Sequence, residues 1–389
     1  MKQMIYKFLF GVLLLSMYAC KQDEIGPIQN DGIAPGPVSN VNVKNLNGAA
    51  EITYEIPKDP DLLYVKAAYT APNGEVRETK ISKHKNTVLV EGFGDTNAYV
   101  VSLTAVDKGE NASTIVNVTV NPKEPPMKLV KETIKVTPDF GGVNISYENV
   151  TAANMAIVVL TNDSLGQFVP VNTHYTNLKK SVFPTRNLKA EEARFGVFVR
   201  DRWGNRSDTL YLNLTPYFET KLDRTKMKGL RLPTDAGLDY GGTMAGLFDG
   251  NVGDGTFYHS DNNAKMPQWF TVDLGVTAKL SRLVYFMRQA FYYGLHNPRE
   301  IEIWGSNDPS ADGSFTNWVF LTKYTAVKPS GLPEGQLSQA DKAAAEAGES
   351  VPIPKEAPKV RYIRFKTLKN WSNGTYVNFN ELEAWGDPR

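Results

Sequence analysis

From about residue 38 to its end, the chain alternates apolar and polar positions at a period of two, in short runs broken by Gly, Pro, Asn and Asp. That pattern predicts β-strands separated by turns. Val41 and Val43 mark the first strand, and Ala50, Ile52 and Tyr54 share one face of the second. Tyr64–Tyr69 follows the turn Asp59-Pro60-Asp61, and Asn73-Gly74 is a hairpin signal. Val88–Val90, Tyr99–Val106 and Ile115–Val120 complete about seven strands, enough for one β-sandwich over 38–121.

The pattern then repeats. Ile52-Thr53-Tyr54 is echoed by Ile145-Ser146-Tyr147, and Asp107, Asn111 and Ser113 by Asp201, Asn205 and Ser207, about 94 positions later. A second sandwich is therefore expected over 122–217, with Pro125-Pro126 as a hinge and Arg194–Arg200 as its sixth strand. The run Gly92–Asp107 (GFGDTNAYVVSLTAVD) resembles the turn into the sixth strand of fibronectin type III modules. The resemblance implies that the Tyr99 hydroxyl anchors that corner, and that both modules are immunoglobulin/fibronectin-like spacers.

A charged connector is expected over 218–231 and a third sandwich over 232–389. Leu247–Gly275 opens as a loop rich in Gly, Asp, Asn and Thr, and continues as a strand from Gln268 that stops at Gly275. Its Asp249-Gly250, Thr256-Phe257, Pro267-Gln268-Trp269 and Val272-Asp273-Leu274-Gly275 come in the order found in coagulation factor V/VIII type C (discoidin) domains. Pro298–Asn307, Val360–Phe365 and Phe379–Gly386 are similar to that family's central and closing strands. The resemblance implies a galactose-binding-like jelly roll, so the fold class expected for the whole chain is all-β. Trp269, Phe270, Leu274, Leu283, Ile301, Ile303, Trp304, Ile363, Phe365, Leu382 and Trp385 are candidate core residues. Between Tyr324 and Pro358 the alternation fails, and Ser338–Gly348 predicts a short helix with Ser338 as N-cap and Gly348 as C-cap.

Two kinds of site follow. Asp249, Asn251, Asp254 and Thr256 supply clustered oxygens of the sort hard cations require. The family resemblance implies a structural Ca²⁺ there, with a closing-strand carboxylate from Glu381 or Glu383. The alternative is a loop closed by Asx turns alone. For sugar recognition, Arg288, Phe291, Tyr292, Tyr293 and His296 lie in one loop and Trp371, Asn373 and Tyr376 in another. Tyr258 and His259 could reach the same end. Rings stack on a sugar's apolar face while planar polar groups meet its hydroxyls. Trp371 is expected to be exposed, and one of Tyr292 and Tyr293 to face inward.

The N-terminus changes where this would operate. Lys2 and Lys7 precede an apolar run, Phe8–Met17, too short to span a bilayer comfortably. It ends at Met17-Tyr18-Ala19-Cys20, which resembles a bacterial lipoprotein cleavage box and implies lipidation of Cys20. Lys21-Gln22-Asp23-Glu24 resembles the surface-export signal of Bacteroidetes lipoproteins, and residues 21–37 read as a flexible tether. An outer-membrane anchor facing the exterior is expected. Cys20 is the only cysteine, so no internal disulfide forms. Net charge of +1 gives no field favouring nucleic acid. No nucleophile elbow, His-Glu-x-x-His helix, P-loop or dinucleotide fingerprint is present, and no catalytic domain is evident. The order of anchor, two spacers and a discoidin-like tip resembles surface lipoproteins encoded beside outer-membrane glycan importers in Bacteroidetes. It implies a non-catalytic glycan-binding protein, with a protein-interaction subunit or adhesin as the alternative.

Overall fold

The computed structural model describes residues 32–389, so the apolar N-terminal run, Cys20 and most of the tether lie outside the described residues. The architecture is all-β: three sandwiches in series, each with its own apolar core.

The first sandwich packs a three-stranded sheet (Ser39–Leu46, Ala49–Glu55, Thr87–Glu91) against a four-stranded one (Leu62–Thr70, Val76–Ser82, Tyr99–Asp107, Val116–Val120). The second repeats that order with Lys135–Asp139, Gly142–Glu148 and Lys180–Thr185 facing Met155–Asn162, Phe168–Thr176, Ala193–Arg200 and Leu210–Leu214. The repeat seen in sequence has a structural cause. Asp107 accepts from Asn111 N and Nδ2 at 2.8 and 2.9 Å, and Ser113 Oγ accepts from Ala105 N at 3.0 Å. Asp201, Asn205 and Ser207 make the same bonds, so one turn is used twice. The Tyr99 hydroxyl donates to Asp95 Oδ1 at 2.8 Å and ties down its corner. Pro125-Pro126 is more than a hinge: Pro126 is the first residue of a helix, Pro126–Thr133, whose Met127 and Val130 enter the second core.

In the third sandwich the strand beginning at Gln268 does not stop at Gly275. It bends there, with Gly275 at φ 72°, and runs on to Phe286. Its first half pairs with Val360–Asn370 and its second half with the closing strand Glu381–Asp387, so one strand serves both sheets. Phe270, Phe365, Phe379, Tyr258 and Tyr285 form the aromatic centre, with Phe270 stacked on Phe365 at 5.4 Å. Trp269, Trp304 and Trp385, expected in the core, are instead half-buried on outer faces, beneath the charged ends of Arg364, Lys366 and Arg282. The helix Gln339–Ala347 forms as expected, with Ser338 and Asp341 making a reciprocal cap.

The segment expected as a connector already belongs to the distal domain. Thr220–Lys221 pairs with the closing strand, and Lys228–Leu230 with Thr271–Asp273. Within that segment, the Glu219 side chain is buried in the joint between sandwiches two and three, bonded to Arg186 Nη1 at 3.0 Å, to Arg282 at 3.2 Å and to Ser281 Oγ at 2.5 Å. One carboxylate thus holds two guanidinium groups from two domains. Glu219→Ala leaves both cations facing each other, and the expected result is a broader range of interdomain angles in small-angle scattering. An unchanged scattering profile would refute this role.

Candidate functional site

At one end of the distal sandwich four segments converge. The two-residue strand Tyr258–His259 pairs with Asn378–Phe379, and Asn378 N donates to His296 O at 3.1 Å. The turn at Asp239–Gly242 folds onto the same place, with Thr243 N donating to Phe257 O at 2.9 Å. Gly242 makes this possible, because a Cβ there would lie 2.3 Å from His259 N.

The result is a cluster of rings. Tyr240 lies 4.8 Å from His259 and 5.8 Å from Tyr376, and His259 lies 5.8 Å from His296, which is 5.1 Å from Tyr376. The hydroxyls of Tyr240 and Tyr376 both donate to Asn262 Oδ1, the former at 2.6 Å. His259 Nδ1 lies 2.7 Å from the Ser260 carbonyl. A carbonyl only accepts, so Nδ1 carries the proton and Nε2 of a neutral ring is left as an acceptor. His296 Nδ1 is buried with no partner. Burial first, then His259 and Arg288, hold the His296 imidazole below its ordinary pKa of 6.5, which favours the neutral ring. Tyr240 is 51% exposed. The arrangement offers stacking surface together with unpaired ring nitrogens, the chemistry that fits a hydroxylated ring.

The other candidates are placed differently. Tyr258 and Tyr293 are each 1% exposed and present no face to solvent. Tyr292 is half-buried and packs against the core, so of the Tyr292–Tyr293 pair the second is the one that faces in. Trp371 is half-buried, edge-on to Tyr293 at 5.3 Å and covered by Arg299 at 4.8 Å, so it anchors its loop. Asn373 is exposed at a turn with φ 56°. Arg288 lies over Phe257 at 4.3 Å and Phe291 at 5.4 Å, its Nε 3.7 Å from Asp254 Oδ1 in an ion pair without a hydrogen bond. Two residues of the cluster, Tyr240 and Asn262, escaped sequence reasoning. The only signal for Tyr240 was its place before Gly241-Gly242.

Among the cation candidates, Asp254 is turned away. It accepts from Gln289 N and Ala290 N at 2.9 Å and from Asn380 Nδ2, so it braces the Arg288 turn. Burial alone would raise its pKa, but these donors and Arg288 hold it below the usual value. Asp249 bonds Asn251 N and the Thr256 hydroxyl, and Asn251 Oδ1 accepts from Gly253 N. Glu383 is engaged by Lys221 and Trp385. Glu381 differs: Oε2 accepts from Gly250 N at 3.0 Å, while Oε1 is buried with no partner. Burial and the neighbouring Asp249 push this carboxyl up to about 7, so near neutral pH it is held partly protonated, and a cation would be needed to keep it ionised. Arg224 donates to Phe248 O at 3.2 Å beside it, and among the described residues no group of three or more His, Cys, Asp or Glu gathers as a metal site.

Three family models match the chain, each described as a domain of unknown function: DUF4959 over 35–122, DUF5126 over 123–225 and DUF5000 over 248–386. No curated protein matches. A solved SusE-like protein is 35% identical over 68% of this chain and 100% of its own length, with a TM-score of 0.44. This chain belongs to the SusE-like family. The SusE-like chain is also similar to the family 32 carbohydrate-binding module of Clostridium perfringens NanJ in complex with galactose, at 17% identity, 43% of this chain, 98% of that one and a TM-score of 0.31. A two-domain fibronectin type III segment of chicken tenascin is 14% identical, covering 46% of this SusE-like chain and 99% of its own, with a TM-score of 0.23.

Proposed function

We propose that this protein is a non-catalytic, cell-surface glycan-binding lipoprotein that captures polysaccharide or host glycan at the tip of its distal sandwich. The observation that carries the reading is the cluster of Tyr240, His259, His296, Tyr376 and Asn262, with an exposed ring beside a buried, unpartnered His296 Nδ1. A ring nitrogen taken out of water without a partner costs about 1–3 kcal/mol, and a ligand hydroxyl, which can donate or accept, would recover it. Arg288, held across Phe257 by Asp254, borders the same tip. Membership of the SusE-like family and the lipoprotein-like Cys20 support a place on the outer membrane, facing out. The two-sandwich stem would hold the tip clear of the membrane, within reach of an importer complex.

Affinity electrophoresis across a panel of neutral polysaccharides and host-type glycans tests this. The wild-type chain should be retarded by at least one of them, and Tyr240→Ala should release it. Failure on a broad panel, together with co-purification of an outer-membrane protein, would favour the interaction-subunit reading. Release of reducing sugar by the pure protein would overturn both.

A structural Ca²⁺ belongs to the same proposal. Glu381 Oε1 is the orphaned ligand, with Asp249, Asn251 and Thr256 on the opposing loop and Asp254 committed elsewhere. The ion would pin the loop to the closing strand and take no part in chemistry. At a hundred times its Kd it should add about 2.7 kcal/mol to the stability of the distal domain. The expected result is a higher melting temperature with calcium than with chelator, and no such difference in Glu381→Gln. Equal melting curves for the wild type in both buffers would rule the ion out.

A further inference from the structure

We infer a second binding face, for acidic polysaccharide, on the middle sandwich, remote from the tip and independent of it. The outer side of its four-stranded sheet carries an alternation of arginines and rings. Arg194 lies over Tyr211 at 4.3 Å and Phe168 at 5.8 Å, Arg206 over Phe198 at 4.6 Å, and Arg200 over Tyr175 at 6.0 Å. Phe168 rests on Gly196, where a Cβ would come within 2.8 Å of the ring. Tyr175 and Tyr211 are 72% and 52% exposed, and the three arginines are exposed.

None of the three forms an ion pair among the described residues, although the same domain pairs Lys180 with Glu148 and Arg186 with Glu219. The acids at the rim are engaged or apart: Asp163 accepts from Leu165 N and Gln167 N, and Asp201 from Trp203 N and Asn205. Asp208, Glu191 and Glu192 make no pair with these arginines. Arg194 and Arg206 stack on rings with their N–H edges available for bidentate bonds to carboxylate or sulfate, and Arg200 commits only one Nη2–H, to the Tyr175 hydroxyl at 3.3 Å. Arg194 and Arg200 stand on one strand, about 20 Å apart at the rise of a β-strand. That stripe suits a linear polyanion, which meets successive charges as it runs. At one end it opens into a cleft of 410 Å³ lined by Tyr175, Arg200, Arg202 and Gly204, a size that suits one or two sugar rings better than a folded protein edge.

Electrophoresis of the full chain through gels containing polygalacturonate, dextran sulfate or neutral dextran tests the proposal. Retardation by at least one polyanion, absent in dextran and weakening with added NaCl, is expected. The first two gels distinguish carboxylate from sulfate. The triple variant R194Q/R200Q/R206Q should migrate freely, each arginine contributing about tenfold in affinity, the scale of one charge-assisted hydrogen bond. R194K/R200K/R206K keeps the charge without the fork and should fall between the two. An unchanged thermal transition shows that the variants fold. No retardation of the wild type, or equal retardation of the glutamine variant, overturns the inference. So does loss of a co-purifying acidic protein in that variant without any polyanion effect. Tip binding to neutral glycan should survive in all of them, so the two sites fail separately.

Discussion

Replacing Arg364 with leucine is expected to lower the stability of the distal sandwich by about 3–5 kcal/mol, the usual cost of removing one partner of a buried pair. Arg364 is 0% exposed. Its guanidinium donates to the carbonyls of Gly313 at 2.7 Å and Ser314 at 2.9 Å and to Thr271 Oγ1 at 3.3 Å, with Asp235 3.9 Å away. Trp318 and Phe315 cover it at 4.5 and 4.6 Å. Leucine fills part of the volume but leaves two carbonyls unpaired and Asp235 without its counter-charge. Burial already raises the Asp235 carboxyl above its ordinary value, so that charge would be poorly tolerated. A loss of this size is a large share of the 5–15 kcal/mol that typically holds a domain folded. Arg364→Lys should recover little, because one ammonium cannot meet two carbonyls and a carboxylate in the fork geometry. Adding Asp235→Asn to the leucine variant should recover part of the loss. Thermal unfolding followed by tryptophan fluorescence reads all three, and a leucine variant that melts with the wild type would refute the account.

Arg364 also marks where the sequence stopped being legible. In VRYIRF, Ile363 and Phe365 stand two apart and face the core, as a strand requires. Arg364 then falls on the opposite face, which period-two reasoning assigns to solvent. The segments around Thr234 and Ser314 fold over that face and bury it, a tertiary event with no local signature. The three outer-face tryptophans erred in the other direction. Their area suggested core, but Trp269 and Trp304 alternate with Phe270 and Ile303, and only one set can point inward. Features closed by neighbouring residues were readable: the Ser338–Gly348 capped helix, the paired Asp-Asn-Ser turns and the Tyr99 corner. The proposed binding cluster was half readable for the same reason. His259, His296 and Tyr376 sit in ring-rich loops, whereas Tyr240 and Asn262 join them through backbone contacts between distant segments.

His296→Phe is expected to weaken glycan binding by about 10- to 100-fold, the equivalent of about 1.5–3 kcal/mol for one hydrogen bond in a desolvated site. Phenylalanine preserves the ring packing against Tyr376 at 5.1 Å and His259 at 5.8 Å, so the change isolates the ring nitrogens. A pH profile separates an acceptor role from simple bulk. The folded-state pKa of His296 is held below 6.5 by burial, His259 and Arg288, so the ring stays neutral, with a free acceptor, at and somewhat below that pH. Binding should therefore persist through pH 6.5 and fall only as pH drops through the depressed value, when the ring gains its second proton and neither nitrogen can accept. Linkage gives the domain's stability the same sign. Below pH 6.5 the unfolded chain binds the proton more readily than the folded one, so stability also declines with acid over this window. The two effects can be told apart because His296→Phe loses the acid sensitivity of stability contributed by this ring while remaining a weak binder at every pH. Isothermal titration calorimetry between pH 5 and 8 checks this. A wild-type affinity that is flat across the range, or a phenylalanine variant that binds as tightly as the wild type, would remove His296 from the site and leave Tyr240 and Tyr376 as a stacking surface alone.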